Sequence, residues 1–129
     1  MFEPVSAFSG FSFDDQEKTL EFYSKTLGLT VEDNGMGLNI QLPGGGHVFA
    51  YPKGKDHTPA TFTILNFVVK DINAAVDELV ERGITFDRYD EMPAKQDERG
   101  IMRGKAANEG PDIAWFKDPS GNVLSVIED

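Results

Sequence analysis

The 129-residue chain contains no cysteine. That excludes disulfide staples, cysteine nucleophiles and thiolate metal sites, and it accords with a cytoplasmic setting. Histidine is nearly as scarce: His47 and His57 are the only two, on unrelated segments, a thin basis for an imidazole metal centre. Positive charge is also in short supply, since 12 Lys and Arg stand against 22 Asp and Glu for a formal net charge of -10. Such a field repels phosphate backbones and anionic lipid, so neither nucleic acid nor membrane is an expected partner. No apolar run approaches the roughly 20 residues of a membrane-spanning helix. The opening MFEPVSAFSG has no basic segment ahead of an apolar one, so the expectation is a soluble, unexported protein. Gly44-Gly45-Gly46 lacks a following Lys-Ser/Thr and opens no helix, which rejects a phosphate loop. Neither histidine has a recognisable nucleophile context for a Ser-His-Asp constellation.

What the chain does have is a repeat. From Phe8 to Val31 it runs apolar strand, helix, glycine, apolar strand, and from Phe62 to Phe86 the order returns, with Gly28 and Gly83 at equivalent helix ends. Each copy is too short to bury a core alone, which points to a cleft between copies as the place for function. The length suits one domain, 1–129, with a first module at about 5–51, a linker at 52–60 and a second module at about 61–129.

The elements follow from periodicity and punctuation. Asp14 and Glu17 have capping-box spacing, and Leu20, Tyr23 and Leu27 recur at helical spacing, which predicts a helix near 15–27. Strands are expected over 29–33, 37–42 and 47–51, divided by Asn34-Gly35 and by Pro43 to Gly46. In the second module Asp71 caps a helix whose stripe is Ile72, Ala75, Val76 and Leu79. A strand over 84–89, a polar loop over 90–112 and a hairpin of 113–117 with 122–127 complete it. Both modules read βαβββ.

LEFYSKTLGL after a first strand, LNFVVKDINAAVDELVERGITF opening the second half and WFKDPSGNVLSVIE at the C-terminus resemble, in order and spacing, the vicinal oxygen chelate superfamily. That superfamily includes glyoxalase I, extradiol dioxygenases and bleomycin-resistance proteins. The resemblance covers nearly the whole chain. It implies an α+β fold of two βαβββ modules whose curved mixed sheets enclose a cleft, commonly in a homodimer.

Metal-using members usually place a His or similar ligand on the first strand of each module and a Glu or similar ligand on the last. By that resemblance the four positions fall on Phe8, Ile64, Phe49 and Ser125, none a good ligand for a divalent ion. The reading therefore has no metal and no cofactor. Strand parity turns Phe11, Phe13, Leu65, Phe67 and Val69 toward the helices. Phe8, Gly10, Ser12, Phe62, Ile64, Asn66 and Val68 are left for the other face. The expected binding set is Phe8, Phe49, Tyr51, Phe62, Ile64, Asn66, Arg103, Trp115 and Ser125, an apolar lining with a few polar points that suits a flat small molecule.

Plainer readings stand beside these. His47 is also read as an exposed hairpin-edge residue, and His57 as a group that hydrogen-bonds the chain or reaches the pocket mouth. Asn66 would bond neighbouring backbone if buried, and Trp115 would pack in the hairpin. Asp97, Glu98, Arg99 and Arg103 lie on a long loop that is either solvated or a lid, with Arg103 and Glu98 reaching the ligand. Three functions remain: a metal-independent binding protein, a metalloenzyme with displaced ligands from His47, His57 and Glu98, and a metal-free enzyme or regulatory module. A homodimer is expected from open sheet edges and ten phenylalanines.

Overall fold

The structure, a computed structural model, describes residues 1–91 and 95–129. It divides into two compact units, Met1–Pro59 and Ala60–Asp129. Each contains a four-stranded mixed sheet with a helix, an α+β arrangement.

Unit 1 begins with β1 (Ser9–Phe13) and α1 (Gln16–Glu21), which passes into a wider π-type turn over Phe22–Thr26. The helix is capped one residue later than the capping-box spacing implies. Asp15, in an extended conformation, accepts the Lys18 N–H at 3.0 Å and so satisfies a donor that the first turn leaves open. At the far end the Leu27 N–H reaches back to the Phe22 carbonyl at 2.9 Å, and Gly28 follows at φ 75, in the left-handed region. β2 (Val31–Asp33), β3 (Leu38–Gln41) and β4 (His47–Pro52) complete the sheet in the order β1-β4-β3-β2. β1 runs parallel to β4 with Gly10 opposite Phe49, and the other pairs are antiparallel. Phe11, Phe13, Leu38, Ile40, Val48 and Ala50 are buried, and the Phe11 ring lies 5.7 Å from Tyr23 of the π-type turn. The period-2 pattern thus gives this sheet one covered face and one open face.

Unit 2 repeats the plan with β5 (Thr63–Val69), α2 (Ile72–Glu81), β6 (Met102–Arg103), β7 (Asp112–Lys117) and β8 (Val123–Glu128), in the order β5-β8-β7-β6. Asp71 caps α2 by accepting the Ala74 N–H at 3.2 Å. The helix buries Ile72 and Val76, while Ala114, Phe116, Leu124 and Val126 are buried on the sheet. Glu128 ties the two together by accepting the Ile72 N–H at 3.0 Å.

Two differences from the sequence reading concern the fourth strand of unit 2. Residues 84–89 form no strand, although the Asp87 N–H donates to the Trp115 carbonyl at 2.8 Å. The strand beside β7 is instead Met102–Arg103, inside the stretch read as a polar loop, with Met102 opposite Ile113 and Arg103 opposite Asp112. Its physical basis is Ile101-Met102: both side chains are buried, and burying that apolar pair brings its backbone to the sheet edge. Residues 92–94 of the expected loop lie outside the described residues.

Candidate functional site

The open face of unit 1 is aromatic. His47, Phe49 and Tyr51 alternate along β4 away from the core, and Phe8, 61% exposed, stacks on His47 with ring centroids 5.0 Å apart. Phe49 and Tyr51 stack at 6.2 Å and 20°. Next to them Gly10 is closely approached: a methyl there would meet the Phe49 carbonyl oxygen at a tight 3.3 Å and the Tyr51 ring at 3.7 Å. Gly37 supports the Phe49 ring from β3's approach. A methyl on Gly37 would lie 2.5 Å from the Ala50 carbonyl and 2.8 Å from the Phe49 ring tip, so only glycine admits the ring. The polar point is Ser12, opposite Tyr51, whose hydroxyl shares a 2.7 Å hydrogen bond with His57 Nδ1. Of the two readings of His57, the bond to the chain is the one present. His47 is half-buried and stacked rather than a free hairpin edge.

The open face of unit 2 is closed by hydrogen bonds. Asn66, Ser125 and Trp115 form one row across β5, β8 and β7. The Ser125 hydroxyl, fully buried, donates to Asn66 Oδ1 at 2.6 Å. The indole N–H of Trp115 donates to the Thr63 hydroxyl at 3.1 Å, and Tyr89 meets the indole edge-on at 5.6 Å. Met102 and Ile113 are buried below, with Trp115 and Ile127 packed against them. Tyr89's phenol is held protonated to higher pH by burial and by the Asp87 carboxylate.

Several expected site residues sit elsewhere. Phe62 precedes β5 and is 69% exposed. The place that parity gives to Ile64 is taken by Thr63: the register shifts between Thr63 and Leu65, which sets Thr63 opposite Val123, on the Ser125 side of β8. No glycine or proline marks this bulge in the sequence. Arg103 is the larger correction. Met102 opposes Ile113 on the open face, so Arg103 turns to the helix side, where Nε donates to Asp97 at 3.0 Å and Nη2 to Asn73 of α2 at 2.6 Å. Asp112 lies 3.5 Å from the same guanidinium.

The segment read as a lid is accordingly tied down over 95–104. Asp97 accepts the N–H groups of Arg99 and Ile101, each at 2.9 Å, and Arg99 pairs with Asn73 and Asp77 of α2. Gln96 bonds the Tyr89 N–H and the Asp87 and Gly100 carbonyls. Burial raises the Asp97 pKa, but those backbone N–H bonds and Arg103 outweigh it and hold the carboxyl below its usual range. The Asp97-Glu98-Arg99-Gly100 turn signal in the sequence is the clue from which this hub was legible.

The positions that the resemblance offers to a metal carry two stacked phenylalanines, an isoleucine beside a bulge and a serine engaged with Asn66. Among the described residues no three His, Asp or Glu side chains gather as an ion site. This donor set does not fit a divalent ion at the place expected for it.

The model of the Glyoxalase/Bleomycin resistance protein/Dioxygenase superfamily matches residues 10–126. No curated protein matches the chain. Among solved structures, a member of that superfamily from Sphaerobacter thermophilus DSM 20745 is 25% identical with a TM-score of 0.64, covering 97% of this chain and 98% of that one. TnmS3, an antibiotic binding protein from Streptomyces sp. CB03234, is 22% identical with a TM-score of 0.64, covering 98% of each chain. A glyoxalase/bleomycin resistance protein from the same organism is 23% identical with a TM-score of 0.59, covering 94% of this chain and 99% of that one. At those identities the two Streptomyces structures show the fold alone.

Proposed function

The chain belongs to the Glyoxalase/Bleomycin resistance protein/Dioxygenase superfamily, and from that premise we propose that it binds a planar, largely apolar small molecule without a metal ion. The observation that carries the reading is the open face of unit 1, where Phe8 stacks on His47 and Phe49 on Tyr51 beside the bare backbone of Gly10. Such a face stacks a flat ligand and draws its affinity from apolar contact, while a few polar groups orient the guest. The likeness to a protein described as antibiotic-binding points the same way. Phe8, Phe49 and Tyr51 are the contacts of unit 1, whereas in unit 2 Asn66 and Ser125 engage each other and Trp115 engages Thr63. Phe62 and Ile64 flank the latter set, and Arg103 supports the fold beside it. Among the described residues a metal-dependent lyase or dioxygenase has no gathered ligand set in its support.

The protein would act in the cytoplasm as a homodimer, since Phe2, Val5, Phe62 and Val68 are exposed apolar side chains that a second copy would cover. One set of samples tests the reading. Elemental analysis after growth with added zinc, nickel, manganese and iron should find substoichiometric metal, and light scattering should return twice the 14.2 kDa chain mass. Titration with soluble planar polycyclic aromatics should shift the His47 ring resonances saturably, with micromolar affinity for the best ligand, about -8 kcal/mol. One bound metal per chain together with no aromatic binding would overturn the proposal.

A further inference from the structure

The turn joining β2 to β3 is built on Asn34-Gly35, the one asparagine-glycine pair in the chain. The Asn34 side-chain oxygen accepts the Met36 N–H at 3.0 Å and the Gly37 N–H at 3.1 Å. Those two bonds fold the side-chain amide forward over the Gly35 peptide, which sets Cγ on the side of the Gly35 nitrogen. That nitrogen donates its hydrogen to Asp33 Oδ1 at 2.9 Å, and Gln16 of α1 holds the other oxygen of the same carboxylate at 2.9 Å. Gly35 lies at φ 85 with nothing within 4 Å of the place a Cβ would occupy, and Asp33, Asn34 and Gly35 are all exposed. Water therefore reaches the turn, and a leaving group can depart from it. An electrophilic carbonyl held by two backbone donors, a nucleophile without a neighbouring side chain and a carboxylate on the nucleophile's proton are the parts of an acyl-transfer site.

We propose that Asn34 is a modification site at which the turn promotes its own deamidation. The Gly35 nitrogen, passing its proton to Asp33, forms a bond to Asn34 Cγ, and the carbonyl electron pair moves onto Oδ1. The Met36 and Gly37 N–H groups, already aimed at that oxygen, stabilise the charge that develops on it. Collapse breaks the bond from Cγ to the side-chain nitrogen, which takes up the proton held by Asp33 and leaves as ammonia. A cyclic imide then joins residues 34 and 35. Water opens it at the side-chain carbonyl to give aspartate, or at the main-chain carbonyl to give isoaspartate. Nothing is oxidised or reduced, and water is the sole co-reactant. Glycine makes the attack accessible because no Cβ crowds its nitrogen. The iso product carries a methylene more in its backbone, in the turn whose Gly37 seats the Phe49 ring, so the change reaches the aromatic face. The site stands independently of the proposed binding function.

The test incubates the full chain, its Asp33→Asn variant and a synthetic peptide of residues 31–41 at neutral pH and physiological temperature. Peptide mass mapping and isoaspartate methyltransferase labelling follow residue 34 over several weeks. Asp33→Asn keeps an oxygen to accept the Gly35 N–H, and so keeps the turn, but removes the base. The expected result is that Asn34 converts about fivefold faster in the folded chain than in the peptide, where the turn is not held, and that Asp33→Asn slows the folded chain about threefold. Asn39, Asn66, Asn73, Asn108 and Asn122, none followed by glycine, should remain amides over the same period. An unchanged denaturation midpoint in Asp33→Asn shows that the slower rate is chemical. Asn34 remaining an amide in the folded chain, a folded rate at or below that of the peptide, or an Asp33→Asn rate equal to wild type overturns the proposal.

Discussion

Unit 1 and unit 2 share a strand order and one helix per sheet, yet they use their open faces in opposite ways. In unit 1 the face is shaped by what is left out: Gly10 and Gly37 carry no side chain, and the rings of Phe49 and Tyr51 occupy or border the space that results. In unit 2 the same face is filled. Ser125 is engaged with Asn66, Trp115 with Thr63, and the sheet edge is braced from the helix side by Asp97, Arg103 and Asn73. A repeated βαβββ scaffold thus sets where side chains point, while a handful of residues decides whether that surface stays open to a guest or closes on itself. Glyoxalase-like folds hosting different chemistries is the expected consequence.

The largest effect should come from breaking the shape of unit 1. Gly37→Ala forces a methyl against the Ala50 carbonyl and the Phe49 ring, whereas Gly46→Ala adds one where nothing lies within 4 Å. Chemical denaturation should show a loss of about 1–3 kcal/mol for the first and under about 0.5 kcal/mol for the second. Equal effects would mean that the Phe49 ring is not seated over Gly37.

The bracing of unit 2 should be next. Asp97→Ala removes the acceptor of the Arg99 and Ile101 N–H groups and one partner of Arg103, and should cost about 1–2 kcal/mol at neutral pH. The carboxyl's pKa is depressed in the folded state. Its contribution is therefore present above the ordinary aspartate pKa and is lost as pH falls through the lower folded value. Glu128, lowered by the Ile72 N–H and by Lys105, has the same sign. Wild-type stability should decline between about pH 5 and pH 3, and Asp97→Ala should flatten that decline. An unchanged slope would show that the carboxylate is not coupled to folding.

Thr63→Val tests the closure of the unit 2 face most gently. It deletes the acceptor of the Trp115 indole N–H while keeping shape, for a loss of about 0.5–1 kcal/mol and a change in the emission of the lone tryptophan. Emission identical to wild type would place the indole N–H elsewhere. Comparing ligand affinity in this variant and in Gly37→Ala also shows which of the two faces controls binding.

The amino-acid sequence alone determined the local elements and the family. Periods of 3.6 and 2, aspartate caps, Gly28 and Gly83 at φ 75 and 94, and the Asp118-Pro119-Ser120-Gly121 turn are all short-range devices, each readable within one turn or one pleat. The tertiary structure decided what depends on partners far along the chain. It selected Met102–Arg103 rather than residues 84–89 as the strand beside β7, and so turned Arg103 toward α2. It moved Thr63 into the place expected for Ile64 through a register shift, and it brought His57 to Ser12 across 45 residues. Strand pairing is set by which of several competing segments best buries its apolar side chains and satisfies its backbone against a neighbour. That competition has no signature within any one segment, because its outcome depends on all of them at once.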